Sequence, residues 1–551
     1  MIEIKAYSGL IRNHRELAEE LGVSIEGMTR RAREEALIAA AYERWGSDLG
    51  AHLNGQFGIA LYDTRTGDTF CTRDILGAEL FFTYVTEEGA LLYGTTITSL
   101  FNQPGFKREL NRELIQFYLG FTYVPGEETL FAGVTKLEPG GWLRCDAAGV
   151  IERGRYWELT YEPDESKTLD EWADAIEQAM EESMRCIIDE DEQCDSFLSG
   201  GVDSSYMLAK GPARTGYCAA YANQAASEEA EARETAGYLE RGFEGIIVEP
   251  EEFFGTLDEF LRAYEQPSAD AAGLAFYVAC KKVAQKSRLC FSGEGSDEFF
   301  GGYNAYRRAE EFRSNPDPVY FGTTYIMHSD VQRRFLKSYC ENRSTRDFMR
   351  ERGEGGMKYD PVTWMLYTDA RSYLEGSILF NSTKIAQGTG LDIRMPYLDL
   401  RMFDIARRMP SRFKVGEEGN KLALRRAASR VLPEHIAYRK KLGFPVPVRA
   451  WLADEQWNAD IRRAFASDVA HEFFNEDEIS ALLDEFLGGS LALWHRVWTI
   501  YVFIRWYELF FAGAVAGEAP AGEAPADVAA ASAVATGATA ANDAVAGEAG
   551  K

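Results

Sequence analysis

The sequence predicts an α/β protein: an N-terminal α+β sandwich followed by a doubly wound parallel sheet. Three observations carry this. The first 160 or so residues hold short β-branched and aromatic runs broken by glycine and aspartate turns. From Cys194 onward, short apolar strands alternate with helical patterns, as parallel strands joined by crossover helices do. Two glycine-rich loops follow directly on two of those strands, at the sheet edge where open α/β sheets hold ligands. With 551 residues, 46% hydrophobic and 13% aromatic, the chain has material for sizeable cores.

The elements follow in order. Segments 55–64 (GQFGIALYDT) and 79–97 read as strands, and 12–22, 33–46 and 111–121 as helices. The acidic stretch 161–170 reads as a linker into a long helix over 170–187. Strands are expected at 194–198, 217–222, 244–249 and 288–293, with helices at 227–240 and 276–286 between them. Residues 300–511 read as mostly helical, and the aromatic residues of 493–511 as packed core rather than a cofactor box. Residues 512–551 are rich in alanine, glycine and proline, with AGEAP repeated at 516–520 and 521–525. Such a composition builds no core and is expected to be disordered. The expected divisions are therefore 1–160, 161–511 and 512–551.

Composition narrows the function. Lys plus Arg number 59 against 87 Asp plus Glu, a formal charge of −28. A chain this acidic repels phosphate backbones and anionic lipid, so neither nucleic acid nor a membrane surface is expected as a partner. The eight cysteines contain no C-x-x-C pair, and no H-E-x-x-H occurs among the six histidines. Neither a zinc cluster nor a disulfide framework is signalled. The charged N-terminus lacks an apolar signal core, and no apolar run reaches the roughly 18 residues of a membrane span. A cytoplasmic location is the simplest expectation.

The sharpest motif is Ser199, Gly200, Gly201, Val202, Asp203, Ser204 and Ser205, directly after a predicted strand. Its glycines permit a tight turn and close backbone approach to a ligand. Loop amides and the following helix N-terminus form an anion cradle, and Ser199, Ser204 and Ser205 offer hydroxyls. Asp203 is out of place in a bare anion site unless it holds a metal ion, so the loop reads as a site for Mg²⁺-pyrophosphate. It is not a G-x-x-x-x-G-K-[ST] loop, a pattern found nowhere in the chain. A second loop carries Ser292, Gly293, Glu294, Gly295, Ser296, Asp297 and Glu298, then Gly301 and Gly302. Three carboxylates so close together repel one another unless a cation or proton intervenes.

Together these residues resemble the asparagine synthetase family. SGGVDSS is similar to its pyrophosphate loop, and SGEGSDEFFGGY to its second signature. GLDIRMPYLDL (390–400) and YRKKLGFPVPVRAWLA (438–453) resemble two further family segments, and 123–143 resembles the family's interdomain segment. The resemblance implies an N-terminal degenerate Ntn-hydrolase-like sandwich of glutamine amidotransferase type over 1–160. It implies an ATP-pyrophosphatase domain, of the adenine nucleotide α-hydrolase-like class, over 161–511. The implied chemistry has two steps: ATP adenylates a substrate carboxylate, then an amine displaces AMP. Mg²⁺ offsets the repulsion of the two anions. By resemblance, Ser199, Gly200, Gly201, Asp203, Ser204, Ser205, Ser292, Gly293 and Gly295 bind the nucleotide. Asp203 and Asp297 hold the metal. Glu294 deprotonates the amine, alone or within a dyad, and Lys441 stabilises developing charge, with Lys440 as the weaker candidate.

The chain also departs from the family. Glutamine-using members begin, once Met is removed, with a nucleophilic cysteine; this chain begins Met1, Ile2, Glu3, Ile4, and its first cysteine is Cys71. Ser8 falls where the family has an amide-binding asparagine, and Glu34 where it has a glutamine-binding aspartate. The turn from Arg73 and Asp74 to Gly77 is family-like, so the sandwich is expected to persist as a scaffold without glutaminase activity. Thr383 and Lys384 replace a common aspartate-arginine pair, which puts the identity of the acyl substrate in doubt. The expected function is an amide ligase acting on aspartate or a similar carboxylate, with ammonia or an amine as nitrogen source. A macrolactam-forming synthetase of β-lactam or lasso-peptide type, with a peptide substrate possible, is the alternative; a non-catalytic scaffold is the third.

Overall fold

A computed structural model describes residues 1–190, 192–221, 227–440 and 446–512. The N-terminal part has three layers. Strands β1 (Ile2–Ile11), β2 (Gly55–Asp63) and β3 (Asp68–Arg73) form one sheet with β7 (Gly141–Cys145) and β8 (Ile151–Arg155), ordered β1-β2-β3-β7-β8 and antiparallel throughout. A second sheet, ordered β5-β4-β6, comprises β4 (Phe82–Val85), β5 (Leu91–Gly94) and β6 (Thr135–Lys136). The period of two assigns the faces. Phe57, Ile59, Leu61 and Phe70 pack with Leu17, Leu37 and Ile38 of the helices His14–Leu21 and Arg30–Trp45. Ala60, Cys71 and Leu143 face the opposite way, into a core with Phe81, Leu91 and Tyr93.

The helix Leu169–Cys186 leads into the second part, and a capping box between Thr168 and Glu171 fixes its start. There a five-stranded sheet runs β11-β10-β9-β12-β13, and every neighbouring pair is parallel. Its strands are β9 (Asp195–Phe197), β10 (Thr215–Ala220), β11 (Gly242–Ile247), β12 (Leu289–Phe291) and β13 (Asp392–Arg394). The chain lays down β9, β10 and β11 in one direction, then returns to the other side of β9 for β12. The order thus reverses between β9 and β12, and the crevice there opens at their carboxyl ends. The two glycine-rich loops leave from these two strands.

The remainder is mostly helical, as expected, with one short antiparallel pair at Val415–Gly416 and Gly419–Asn420, and the aromatic stretch is core. Trp498, Phe503, Trp506 and Phe510 are fully buried or nearly so. Phe131 of the N-terminal part meets Trp506, Phe510 and Phe511 ring to ring. The two parts therefore share one hydrophobic core. No helix among the described residues is long and apolar enough to cross a membrane. Of the expected tail only Ala512 is described; 513–551 lie outside the described residues.

Candidate active site

The loop after β9 turns into the helix Val202–Lys210, with Gly201 at its N-cap. Its serines first organise the loop itself. The Ser204 hydroxyl accepts from the Ser199 amide at 3.0 Å, and the Ser199 hydroxyl accepts from the Gly201 amide at 3.1 Å. The loop after β12 reaches the helix Ser296–Phe300 through Gly295, whose φ of +86° lies in the left-handed region. A Cβ on Gly295 would stand 2.5 Å from Leu398. Gly302 closes the same loop, where a Cβ would stand 1.7 Å from Asp297 Oδ1.

These loops bring Asp203 and Asp297 to one point. Lys421 Nζ lies 2.6 Å from Asp203 Oδ2 and 2.7 Å from Asp297 Oδ1. It also reaches Ser296 Oγ at 3.3 Å, and that hydroxyl donates to Asp203 Oδ1 at 2.8 Å. The Lys421 side chain is 2% exposed and its backbone is left-handed, with φ of +58°. A non-glycine residue in that region is strained, at a cost on the order of 1 kcal/mol. The motifs did not disclose Lys421: it lies alone before the helix Leu422–Ala428, more than a hundred residues from either loop.

A cavity of about 730 Å³ covers this point and extends along the sheet edge. Ser199, Gly201, Asp203, Ser204, Ser292, Gly293, Glu294 and Asp297 line it; Gly200, Ser205 and Gly295 stand behind its wall. Ser205 is fully buried beneath its loop, and the Gly200 carbonyl accepts from Arg439 at 3.2 Å. Glu294 accepts from Ser292 Oγ at 3.1 Å. Glu298 points inward to the Tyr303 hydroxyl at 2.5 Å, and burial beside the Asp297 carboxylate pushes its carboxyl up to about 8. Tyr438, Arg439 and Lys440 line the cavity, and Arg425 holds this segment through the Ala437 and Arg439 carbonyls. Lys441 lies outside the described residues.

Two carboxylates converging on one ammonium are what a cation site requires. No group of three or more metal-ligating side chains occurs among the described residues. Magnesium bound with phosphates takes only one or two protein carboxylates, so Asp203 and Asp297 fit that mode of binding.

Thr383 and Lys384 are placed away from the cavity, and the structure corrects the inference drawn from them. Thr383 Oγ1 donates to the Ala78 carbonyl at 2.6 Å, and Lys384 is ion-paired with Glu265, both buried. Glu265 in turn accepts from the Ile97 and Thr98 amides. The pair joins the two parts of the chain; on the same helix, Asn381, Ser382 and Ile385 face the cavity instead.

In the N-terminal part, Ser8 donates to Glu79 at 2.7 Å. Glu34 is 2% exposed and accepts from Tyr7 OH at 2.8 Å and the Ile11 amide at 3.0 Å. Cys71 is fully buried between the two sheets, and burial drives its thiol pKa far up.

Comparison with known proteins agrees with this geometry. The family described as asparagine synthase matches residues 175–508, and a glutamine amidotransferase domain family matches 3–157. The chain is 28% identical over 546 residues to asparagine synthetase [glutamine-hydrolyzing] 1 of Bacillus subtilis, covering 91% of this chain and 85% of that protein. It is 25% identical over 513 residues to asparagine synthetase [glutamine-hydrolyzing] 3 of the same organism, covering 87% and 81%. Amidase chry2 of Gibberella zeae is 28% identical over 304 residues, covering 51% and 44%. Because the first match spans more than half of its length, the chain belongs to the asparagine synthase family.

Proposed function

We propose that this protein is an ATP-dependent amide ligase that adenylates a carboxylate, aspartate or a similar acid, and transfers the acyl group to ammonia or an amine. Family membership supports the ligase role. The observation that carries the finer reading is the convergence of Asp203 and Asp297, from two separate loops, on one cation position inside a cavity large enough for a nucleotide. Asp203 and Asp297 would hold Mg²⁺, which when bound would neutralise phosphate charge as the carboxylate approaches. The loop amides at 199–201 and 292–293 cradle phosphate oxygens, and Lys421 and Lys441 supply positive charge for the leaving pyrophosphate.

In the first step a carboxylate oxygen bonds to the α-phosphorus and the bond to the β-phosphate bridge breaks. In the second, the amine nitrogen bonds to the acyl carbon, its proton passes to Glu294, and AMP leaves with the carbon–oxygen bond electrons. The N-terminal part, over 1–160, serves as scaffold for the ligase part over 161–511. Glu34 and Ser8 are committed to internal hydrogen bonds, and Cys71 is sealed in a core. Labelled pyrophosphate exchange into ATP tests the reading. L-Aspartate or a related acid should support exchange, and Asp203→Asn or Asp297→Asn should lower it at least about 10²-fold. Undiminished exchange in both variants overturns the metal assignment; no exchange with any acid overturns the adenylation.

A further inference from the structure

The segment 390–400 has no task in the chemistry above. Met395, Pro396, Tyr397 and Leu398 stand outside the cavity wall, yet the single helical turn Pro396–Leu398 that follows β13 meets both glycine-rich loops. Tyr397 is fully buried, and its hydroxyl donates to the Asp203 carbonyl at 3.0 Å. Burial raises its pKa, so the phenol keeps its proton as a donor. Leu398, the next residue, occupies the space that a Cβ on Gly295 would need. The turn is itself held from two directions. Ser183 of the helix Leu169–Cys186 donates to the Pro396 carbonyl at 2.8 Å, and Arg12 of the sandwich donates to the Met395 carbonyl at 3.1 Å.

Asp203 is thus gripped at both ends. Its carbonyl takes the Tyr397 hydroxyl, and its Oδ1 takes Ser296 Oγ at 2.8 Å, from the loop that carries Asp297. The Asp203 carbonyl lies in the first turn of the helix Val202–Lys210, where a backbone amide one turn on is its ordinary partner. The tyrosine bond therefore meets no unfilled need of the helix; it ties the backbone of one loop to a turn wedged against the other. Tyr118 makes the same kind of bond, to the Thr499 carbonyl at 2.9 Å, outside the cavity wall.

We infer that Tyr397 and Ser296 are positioning residues of the cation site, fixing Asp203 at its carbonyl and at its carboxylate so that its oxygen stands at the distance from Asp297 that Mg²⁺ requires. The inference rests on the metal reading of Asp203 and Asp297 and adds the groups that set their separation. Mg²⁺ demands near-ideal octahedral geometry with oxygens at about 2.0–2.1 Å, whereas Ca²⁺ accepts longer and more irregular contacts. A carboxylate let slip by a fraction of an ångström is lost to Mg²⁺ before it is lost to Ca²⁺.

The test uses Tyr397→Phe and Ser296→Ala in the full chain, with Tyr118→Phe as the control for a buried tyrosine bond elsewhere. Calorimetry gives the Kd of an ATP analogue with a non-hydrolysable α,β bridge in EDTA, in MgCl₂ and in CaCl₂, without turnover; melting temperature and pyrophosphate exchange are read in parallel. In the parent chain Mg²⁺ should tighten the analogue. Tyr397→Phe should cut that gain about five- to tenfold, the worth of one buried neutral hydrogen bond, with a smaller loss in Ca²⁺ and a nearly unchanged Kd in EDTA. Ser296→Ala, which loses a bond to a charged oxygen, should cut it at least about tenfold. Tyr118→Phe should lower the melting temperature as Tyr397→Phe does and leave all three affinities unchanged. An undiminished Mg²⁺ gain in Tyr397→Phe, an equal loss in EDTA, or the same loss in Tyr118→Phe overturns the inference. A parent chain whose affinity ignores Mg²⁺ overturns it together with the metal assignment. Should Tyr397→Phe melt too early to titrate, Ser296→Ala decides alone, and an undiminished gain there overturns the inference. The expected affinities without pyrophosphate exchange would uphold it and count against adenylation only.

Discussion

Lys421→Met removes an ammonium that, among the described residues, reaches both Asp203 and Asp297 and whose side chain is only 2% exposed. Breaking a buried ion pair by deleting one partner costs about 3–5 kcal/mol. The asparagine synthase match spans residues 175–508. If that part unfolds as a unit at about 2.1 cal/mol/K per residue, the cost is a fall in Tm of roughly 4–7 °C. A divalent cation can take the vacated place. At free Mg²⁺ about 100-fold above its Kd, binding returns about 2.7 kcal/mol, or roughly 4 °C on the same scale. The parent chain already has a positive charge there, so Mg²⁺ without nucleotide should move its melting little. The assay is scanning calorimetry of both proteins in EDTA and in saturating MgCl₂. The expected pattern is a low Tm in EDTA that Mg²⁺ largely restores in the variant alone. A variant that melts like the parent in EDTA, or that ignores Mg²⁺, would refute the claim that the two carboxylates form one cation site.

Three further outcomes follow from the same geometry. Lys384→Met leaves Glu265 buried without its cation and should destabilise the chain by about 3–5 kcal/mol, with KM for the acyl substrate unchanged in the surviving folded fraction; a selective KM change would return this residue to the substrate site. Glu298, whose carboxyl is raised from 4.5 to about 8 by burial and the Asp297 charge, binds its proton more tightly folded than unfolded. Its stabilising contribution is complete below about pH 4.5 and is lost as pH rises through about 8, so Glu298→Gln, which keeps a partner for Tyr303, should flatten the fall in Tm over that window; parallel profiles would contradict the shift. Glutamate release from glutamine should be undetectable with or without ATP and acyl substrate, and stoichiometric release that survives Cys71→Ala would show a nucleophile elsewhere.

The sequence disclosed what is local and missed what is assembled at a distance. Both loops were legible because each joins an apolar strand, paired glycines and a carboxylate within a few residues, and the structure brings Asp203 and Asp297 together as that pattern implies. Strand β1 escaped notice because Glu3 and Lys5 alternate with its apolar residues; it is an edge strand, where such charges are tolerated. Strand β13 has three residues, too few for any periodic signal, and is defined only by pairing of Leu289 with Asp392 and its neighbours. Lys421 and Tyr397 gain meaning only from partners more than a hundred positions away. Thr383 and Lys384 misled because sequence proximity to the site does not fix which face of a helix looks into it.

The same long-range packing ties the N-terminal part to the rest of the chain. Glu375, from the ligase part, is 5% exposed and accepts from Arg73 and Lys136 of the sandwich, each at 2.9 Å. Arg12 is 1% exposed and donates to the Met395 carbonyl at 3.1 Å, in the segment that follows β13. Tyr118 donates to the Thr499 carbonyl, and Gln266 accepts from the Leu130 amide. Each of these is a buried polar group whose partner sits across the divide, so removing the sandwich would strand several of them in an apolar surface, at about 1–3 kcal/mol apiece and more for the charges. Glu375 also lies in the first turn of the π-helical segment Leu374–Leu379, which holds Ile378 and leads to Asn381, two residues that line the cavity. The sandwich therefore braces the cavity wall that carries Ile378 and Asn381. Losing Arg73 or Lys136 would leave Glu375 buried short of a cation and disturb the helix beside the cavity.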